Sequence, residues 1–311
     1  MSDALYDVVI IGGGPAGLTA GLYSSRAKLK TLLIERMIMG GQVMTTTKVE
    51  NYPGFPGGID GPELMMRFQE HCSEFGLETT TGEVTGLRVE GDERILTVDD
   101  REVRARAVII TTGAEPSKLD VLGEVEFTGR GVSYCATCDG AFFRDQTIAI
   151  VGGGDTAAEE ALFLTRFASK VYLIHRRDSL RATKVLQDRV FANDKIEVLW
   201  NKVVDKVKGD ATGMTAVDLK DTQSGEVTEL PLQGLFVAIG VTPKAHFLAD
   251  ILELDADGHI LTDSECRTSI PGVFAAGDVR KKLLKQIATA VGDGAVAAIV
   301  AEKYIDELNN A

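Results

Sequence analysis

The sequence predicts an α/β protein of two nested domains, with the second domain inserted into the first. One observation behind this prediction is a strand–glycine turn–helix–strand pattern that occurs twice within 311 residues. Another is that each copy is followed by a strand that leaves through a similar glycine and proline turn, at residues 108–119 and 235–248. These patterns are typical of Rossmann-like nucleotide-binding domains, here of the three-layer ββα type.

The first copy of the pattern reads DVVIIGGGPAGLTAGLYSSRAKLKTLLIE and ends at Glu35. An apolar strand leads into a turn that contains Gly12, Gly14 and Gly17, and a helix rich in small residues follows. The first glycine permits the tight turn, the second lets the backbone approach a pyrophosphate, and the third lets helix and strand pack closely. We expect the pyrophosphate at the helix N-terminus, where free N–H groups and the helix dipole favour an anion.

The second copy, TIAIVGGGDTAAEEALFLTRFASKVYLIHRR, has Gly152, Gly154 and Ala157 at the corresponding positions. One Gly-x-Gly-x-x-Gly pattern can be an ordinary glycine turn. Two copies, each between a strand and a helix, are a much stronger signal of nucleotide binding.

The order of these segments predicts the domain boundaries. We expect the first domain to comprise residues 1–114 and 246–311, and the inserted domain to comprise residues 115–245. The chain should end in a helix rich in small residues over 294–308, which belongs to the first domain.

The residue at the end of the second strand distinguishes the two nucleotide sites. Glu35 follows Gly14 by 21 positions and can hydrogen-bond ribose hydroxyls. The equivalent position in the second copy is His175, which could have a supporting role or simply end the strand. Three arginines follow it: Arg176, Arg177 and Arg181. Guanidinium groups bind phosphate oxygens, so the second site favours NADPH over NADH, unless the arginines form only a solvated surface.

The first site then needs a different dinucleotide. FAD suits it, because a bound flavin can accept hydride from NADPH and pass electrons on singly or in pairs. The segment TSIPGVFAAGDV supports this choice, since an apolar strand leads into Gly277 and Asp278 just before a predicted helix. We expect Asp278 to cap that helix and to hydrogen-bond a ribityl hydroxyl.

Cys135 and Cys138 form a Cys-x-x-Cys pair with Asp139 directly behind it. Such a pair can be half of a zinc site, a structural staple or a reversible dithiol. Zinc would need two more ligands, yet Cys72 and Cys266 are isolated and the four histidines show no ligand spacing. A disulfide that closes so small a loop removes little entropy from the unfolded chain. We favour the reversible dithiol, because it completes an electron path from NADPH and flavin.

Composition and charge argue against several classes of partner. The 33 basic and 46 acidic residues give a net charge of −13, which repels nucleic acid and anionic membranes. No apolar run approaches the length of a transmembrane helix, and the N-terminus has no signal-type pattern. With four cysteines the chain is not a disulfide scaffold, so a cytoplasmic location is expected.

Over its whole length the sequence resembles the low-molecular-weight thioredoxin reductases. The matching segments are GGGPAGL, GGQ, ENYPGF, CATCDG, GGGDTA, HRRDSLR and PGVFAAGDV. The resemblance implies that Cys138 receives electrons from the flavin, that Cys135 attacks the disulfide of a partner thioredoxin, and that Asp139 is the general acid. It also implies a homodimer, and no bound metal is expected because the further ligands are missing.

The resemblance extends the two cofactor sites. For FAD it implies Gly12, Gly14, Pro15, Ala16, Gly17, Glu35, Arg36, Gly41, Gln42, Asn51, Val84, Gly113, Gly277, Asp278, Lys285, Gln286 and Ile287. For NADPH it implies Gly152, Gly154, Asp155, Thr156, His175, Arg176, Arg177, Arg181 and Gly240. Two positions depart from the family: Lys285 stands where many members have Arg, and Ala141 stands where some begin a pair of aromatic residues.

Both the dithiol and the NADPH site lie in the inserted domain, and both need the flavin. We therefore expect this domain to rotate about linkers at Gly113–Ser117 and Gly240–Lys244, each a glycine followed by a proline turn. One alternative is the same chemistry serving a different small redoxin or a peroxiredoxin-feeding partner. Another is a flavin- or zinc-bearing sensor without turnover.

Overall fold

The computed structural model describes residues 5–46 and 48–310. The chain divides into two compact units, the first formed by Met1–Glu115 with Thr242–Ala311 and the second by Pro116–Val241. Each unit contains one of the glycine turns. The α/β class and the two Rossmann-like units predicted from sequence are confirmed, whereas the assignment of each unit to a particular cofactor stays a prediction.

The first unit is built on a seven-stranded sheet with the order β3-β2-β1-β6-β5-β4, and β17 also pairs with β6. The strands are β1 (Leu5–Ile11), β2 (Thr31–Glu35), β3 (Glu78–Thr81), β4 (Val84–Glu90), β5 (Glu93–Val98), β6 (Arg101–Ile110) and β17 (Val273–Ala275). Strand β6 joins β1 and β17 in parallel and joins β5 antiparallel. Strand β6 therefore connects the parallel part of this sheet to its antiparallel part.

Helices α1 (Pro15–Arg26), α2 (Gly61–Glu74) and α6 (Ile287–Asn310) cover one face of this sheet. Helix α6 begins seven residues before the predicted start at Gly294. A Cβ at Gly294 would collide with the carbonyl oxygen of Ala16, so this glycine lets α6 approach α1 closely. On the other face, a second cluster packs apolar residues of β4 and β5 against the sheet.

The second unit has an all-parallel sheet with the order β11-β10-β9-β15-β8. Its strands are β8 (Val132–Ser133), β9 (Thr147–Val151), β10 (Lys170–His175), β11 (Ile196–Trp200) and β15 (Gly234–Val237). An antiparallel layer contains β12 (Lys202–Asp210), β13 (Gly213–Asp221) and β14 (Val227–Pro231). The helices are α3 (Ala136–Asp139), α4 (Asp155–Leu164) and α5 (Lys184–Phe191). The glycine turn and the Cys-x-x-Cys helix α3 thus belong to one compact unit.

The two chain crossings between the units pair with each other, as β7 (Ala114–Pro116) and β16 (Val241–Pro243). Short 3₁₀ turns occur at Gly41–Thr45, Gly140–Phe143, His246–Leu248 and Gly277–Val279. Within the described residues, no helix is both long enough and apolar enough to span a membrane.

Candidate active site

The glycine turn of the first unit connects β1 to α1. Gly12 has φ +106°, a conformation that favours glycine, and a Cβ at Gly17 would collide with the carbonyl oxygen of Gly12. By contrast, a Cβ at Gly14 would meet nothing within 4 Å. Gly14 is also the N-cap of α1 and supplies no side-chain cap, and Pro15 follows it at the first helical position. The helix N-terminus is therefore open to an anion, as the sequence predicted.

Glu35 lies at the end of β2, directly beside this turn. Its Oε2 atom accepts a hydrogen bond from the N–H of Gly13 at 2.7 Å, and its Oε1 atom accepts one from the N–H of Met37 at 3.0 Å. The neighbouring Arg36 is exposed and forms an ion pair with Glu83 at 3.3 Å. The carboxylate of Glu35 is thus held at the edge of the turn, where a ribose would be recognised.

The 3₁₀ turn Gly277–Val279 places Asp278 in a buried position. Burial raises the pKa of the Asp278 carboxyl group, and its Oδ1 atom is buried with no hydrogen-bond partner among the described residues. The expectation that Asp278 caps a helix is wrong, because Ala276 is the N-cap of this single turn and α6 begins only at Ile287. The orphaned oxygen fits the other expected role, binding a hydroxyl group of a cofactor.

Asp293 on α6 positions this turn and was missed by the sequence analysis. Its Oδ2 atom accepts hydrogen bonds from the N–H of Gly277 at 3.0 Å and from Lys282 at 2.8 Å, and Arg280 donates to its Oδ1 atom at 3.3 Å. Gly277 itself has φ +80°. An acidic residue in the segment VGDG was visible, but no sequence pattern connects it to a turn 16 positions earlier.

Two pairs of other predicted FAD residues lie close together, and the remaining ones are located individually. Asn51 donates to Gln286 at 2.9 Å although the two are far apart in sequence, and a Cβ at Gly41 would lie 3.3 Å from Cα of Gly14. Gln42 donates to the carbonyl oxygen of Ala114. Ala16 is buried in α1, Val84 begins β4, Gly113 has φ +72°, and Ile287 begins α6. The open helix N-terminus and the orphaned Asp278 oxygen fit FAD, and the roles of the individual residues stay predictions.

The glycine turn of the second unit repeats this arrangement between β9 and α4. A Cβ at Gly152 would lie 2.5 Å from both Ala157 Cβ and the carbonyl oxygen of Ala238, whereas a Cβ at Gly154 would meet nothing within 4 Å. Gly154 is the N-cap of α4 and offers no side-chain cap. The turn therefore fits a second dinucleotide, and its assignment to NADPH stays a prediction.

Two hydrogen bonds connect the loop after β10 to this turn. The N–H of Arg181 donates to the carbonyl oxygen of Gly153 at 2.7 Å, and the N–H of Thr183 donates to Asp155 at 2.6 Å. The predicted phosphate-binding residues Arg176, Arg177 and Arg181 are all exposed, as is Thr156. Exposed guanidinium groups beside an open helix N-terminus suit a phosphorylated ribose.

His175 is buried beneath the glycine turn rather than exposed with the arginines. Its Nδ1 atom lies 2.9 Å from the carbonyl oxygen of Gly152, and a Cβ at Gly153 would collide with its ring. Burial lowers the pKa of His175, so the neutral ring is favoured. The imidazole packs edge-on against Trp200. His175 both ends β10 and contacts the glycine turn, and its place in the NADPH site stays a prediction.

The Cys-x-x-Cys pair forms a disulfide, with 5.3 Å between the two Cα atoms. Asp139 ends α3, and its Oδ2 atom accepts a hydrogen bond from Ser133 at 2.6 Å. Burial raises the pKa of Asp139, and the Ser133 hydroxyl partly offsets this effect. Ser133 also accepts a hydrogen bond from the N–H of Cys135 at 3.1 Å, a role that the sequence did not signal. One hydroxyl therefore connects the acid to the redox pair.

The other two cysteines, Cys72 and Cys266, are buried free thiols, and burial raises the pKa of each to about 11. The part of the chain that the structure describes contains no group of three or more His, Cys, Asp or Glu residues placed to hold a metal ion. The aromatic residues after the redox pair differ in exposure: Phe143 packs against Phe236, and Phe142 is exposed.

Known proteins share this arrangement. The family model for pyridine nucleotide-disulphide oxidoreductases matches residues 6–294. The chain is 48% identical to a thioredoxin reductase of Listeria innocua, over 99% of this chain and 97% of that protein. It is also 48% identical to a thioredoxin reductase of Bacillus subtilis, over 98% of this chain and 96% of that protein. The crystal structure of a Streptococcus pyogenes thioredoxin reductase matches with a TM-score of 0.95 at 47% identity, covering 98% and 100% of the two chains. The chain therefore belongs to the pyridine nucleotide-disulphide oxidoreductases and, among them, to the thioredoxin reductase family.

Proposed function

We propose that this protein reduces the disulfide of thioredoxin with electrons from NADPH, which pass through FAD and then through Cys135 and Cys138. The observation that carries the proposal is the disulfide between these cysteines on α3, in the same compact unit as the glycine turn of β9 and α4. Bound FAD supplies the redox step between NADPH and protein, by taking up hydride and delivering an electron pair.

The chain's own residues account for the thiol chemistry. Two electrons open the Cys135–Cys138 bond, and two protons complete the dithiol. Cys135, as a thiolate, attacks one sulfur of the thioredoxin disulfide and forms a mixed disulfide. Cys138 then attacks the sulfur of Cys135, which releases thioredoxin as a dithiol and restores the internal disulfide.

Asp139 is the candidate proton donor for this exchange. Its raised pKa favours the protonated carboxyl group more than in an exposed Asp. The hydrogen bond from Ser133 fixes its orientation next to the redox pair. We assign to Asp139 the protonation of the departing thiolate.

We further propose that the second unit rotates between the half-reactions, since its NADPH site and its dithiol both need the flavin. The chain crossings support this, because Gly113 and Gly240 have φ of +72° and +124°. A hydrogen bond also joins the two crossings at each end. The N–H of Lys244 donates to the carbonyl oxygen of Gly113 at 3.0 Å, and the N–H of Ser117 donates to the carbonyl oxygen of Gly240 at 2.9 Å. A cross-link between the units that left both flavin reduction and thioredoxin reduction intact would refute the rotation.

The family also supports a homodimer in the cytoplasm. The dimer can be checked by light scattering of the purified protein. A monomeric mass at assay concentrations would contradict that part of the proposal.

The decisive experiment is Cys138→Ser. This variant should bind FAD and accept hydride from NADPH, as bleaching of the flavin absorbance reports, yet lose all reduction of thioredoxin. Wild-type protein should be assayed with thioredoxin and with other small redoxins, because a preference for another acceptor would change the partner but not the chemistry. A flavin that NADPH does not bleach would instead favour a sensor without turnover.

A further inference from the structure

Glu124 is a buried carboxylic acid in the second unit, and the proposed chemistry does not use it. Only 1% of its surface is exposed. Its Oε1 atom accepts hydrogen bonds from the N–H of Leu119 at 2.8 Å and from the hydroxyl of Tyr134 at 2.9 Å. Its Oε2 atom accepts one from the N–H of Asp120 at 2.8 Å. Because a buried carboxylate is costly without donors, the three bonds together keep Glu124 in place.

The three donors belong to two separate parts of the second unit. Leu119 and Asp120 lie just after the chain crossing β7. Tyr134 directly precedes Cys135, the first cysteine of the redox pair. The carboxylate of Glu124 therefore joins the segment that enters the second unit to the segment that carries the disulfide.

The side chain of Tyr134 is suited to transmit this contact to the redox pair. Burial, and next the hydrogen bond to Glu124, raises the pKa of Tyr134 to about 12, so the hydroxyl keeps its proton and remains a donor at neutral pH. The ring packs on the apolar cluster that includes Phe127 and Val132. The tyrosine is therefore fixed at its ring and at its hydroxyl, and it fixes in turn the backbone next to Cys135.

We propose that Glu124 and Tyr134 are positioning residues for the redox pair. The buried carboxylate holds the tyrosine, and the tyrosine sets where the Cys135–Cys138 disulfide lies relative to the chain crossing. This inference rests on the proposed function and adds to it a role different from that of Asp139, because neither residue transfers a proton.

The position of the disulfide should matter for its reduction by the flavin and not for the reduction of the flavin by NADPH. A displacement of about 1 Å can slow a reaction by roughly a hundredfold when the reacting groups must be aligned. The glycine turn assigned to NADPH is held by different contacts, from Arg181 to Gly153 and from Thr183 to Asp155. Loss of the Tyr134 hydroxyl should therefore slow one half-reaction and spare the other.

Tyr134→Phe tests the proposal in the FAD-bound protein. After one equivalent of NADPH is added, stopped-flow absorbance gives the rate of flavin reduction. Rapid quenching with an alkylating reagent gives the rate at which the thiols of Cys135 and Cys138 form. Flavin reduction should stay within about twofold of wild type, and thiol formation should slow by roughly tenfold. Unchanged thiol formation, or an equal slowing of both steps, would overturn the proposal.

Tyr172→Phe is the matched control. Tyr172 on β10 packs on the same apolar cluster as Tyr134, but the hydroxyl that Glu124 accepts is that of Tyr134. The control variant should keep both rates within about twofold of wild type. Equal slowing of thiol formation in the two variants would overturn the proposal, because a general loosening of the cluster would then explain it. Thiol formation in the wild type tests the proposed function separately.

Glu124→Ala shows whether the tyrosine acts through the carboxylate. In this background Tyr134→Phe should slow thiol formation by less than about twofold more, because the hydrogen bond is already lost. A further slowing as large as in the wild-type background would mean that Tyr134 acts independently of Glu124, and would overturn the proposal.

Hydrogen exchange tests the other end of the contact. The amides of Leu119 and Asp120 should exchange roughly tenfold faster or more in Glu124→Ala, and at the wild-type rate in Tyr134→Phe, which keeps the carboxylate. Wild-type exchange in Glu124→Ala would overturn the anchoring role. If Glu124→Ala does not fold, the comparison of Tyr134→Phe with Tyr172→Phe still decides the proposal, because both variants remove a single hydroxyl group.

Discussion

The ammonium group of Lys285 lies 2.5 Å from Nε2 of His259, and it donates to the carbonyl oxygen of Asp278 at 2.9 Å. Nδ1 of His259 in turn lies 3.4 Å from the carboxylate of Asp255. Burial lowers the pKa of Lys285, and burial followed by the charge of Lys285 lowers the pKa of His259. This row of side chains ends at Asp278, whose Oδ1 atom is buried with no hydrogen-bond partner among the described residues.

We expect Lys285→Met to weaken FAD binding by about tenfold, because the variant loses the hydrogen bond that holds the backbone of Asp278 in place. Since the pKa of Lys285 is lowered, its charge disappears at a lower pH than that of an exposed lysine. FAD should therefore dissociate from the wild type as the pH rises, and this dependence should be absent in the variant. The fluorescence of released flavin after ultrafiltration measures both effects.

Lys281→Met is the control for this prediction. Lys281 is exposed and lies 4.0 Å from Asp255, at the outer end of the row, so the variant removes the same charge but leaves the contacts of Lys285 with His259 and Asp278 in place. A loss of FAD affinity as large as that of Lys285→Met would show that net charge, and not the buried contact, is responsible.

Alanine substitutions at the two glycines of the second turn should affect different properties. Gly154→Ala should weaken NADPH binding, and Gly152→Ala should lower the stability of the protein. Gly154→Ala places its methyl group in open space, so the free energy of unfolding should stay within about 0.5 kcal/mol of wild type. The methyl group would stand where a pyrophosphate approaches, so the KM for NADPH should rise more than about tenfold. Gly152→Ala would press against Ala157 and Ala238, at a cost of about 1–3 kcal/mol. Urea unfolding and NADPH titrations measure the two quantities.

FAD content serves as the control for both variants, because the first unit is untouched. A Gly154→Ala protein that was strongly destabilised, or that bound NADPH normally, would contradict the assignment of this turn to the cofactor.

The features that the sequence could predict depend on residues that are close together in the chain. The spacing of Gly12, Gly14 and Gly17 sets a turn whose geometry depends on a few consecutive residues, and the position of Glu35 follows from the length of one βαβ unit. The Cys135–Cys138 pair is three positions apart, so its disulfide needs no knowledge of the fold. These features could be identified because their partners are close in the chain or at a fixed distance along it.

Features that depend on tertiary packing could not be predicted in this way. Glu159 and Glu160 are adjacent and identical in type, yet Glu159 is exposed and Glu160 is half-buried, a difference that only the packing around α4 decides. His259 and Lys285 meet although they are 26 positions apart in the sequence, with β17 between them. The misassigned cap at Asp278 has the same origin, because the pattern of strand, glycine and aspartate does not reveal how many residues precede the next helix.

The exposed arginines should determine the choice between NADPH and NADH. Replacing Arg176, Arg177 or Arg181 by Met should raise the KM for NADPH by about tenfold for each residue that contacts the 2′-phosphate, and leave the KM for NADH unchanged. Stopped-flow flavin reduction with each nucleotide gives these values.

Arg189→Met, at an exposed position on α5, is the matched control for overall charge. If it weakens NADPH binding as much as the three substitutions do, long-range attraction and not direct phosphate contact would explain the preference.

The buried thiols should make the protein less stable at alkaline pH. Burial raises the pKa of Cys72 from 9.0 to about 11, and its Sγ atom donates to the carbonyl oxygen of Leu18 at 3.1 Å. Between these two pH values the unfolded thiol has lost its proton and the folded thiol has kept it. The unfolded state thus binds fewer protons, so the free energy of unfolding falls as the pH rises. The full loss from this one group is about 3 kcal/mol.

Cys72→Ser isolates this contribution, because a hydroxyl group can still donate to Leu18 but does not titrate in the same range. At neutral pH the variant should be slightly less stable than the wild type. Above about pH 10 the order should reverse, since only the wild type continues to lose stability through this thiol. Urea midpoints from pH 8 to 11 measure the difference, and Cys266→Ser should behave in the same way because its pKa is also raised to about 11. Parallel stability curves for the wild type and both variants would mean that these thiols ionise as readily in the folded protein as in the unfolded chain.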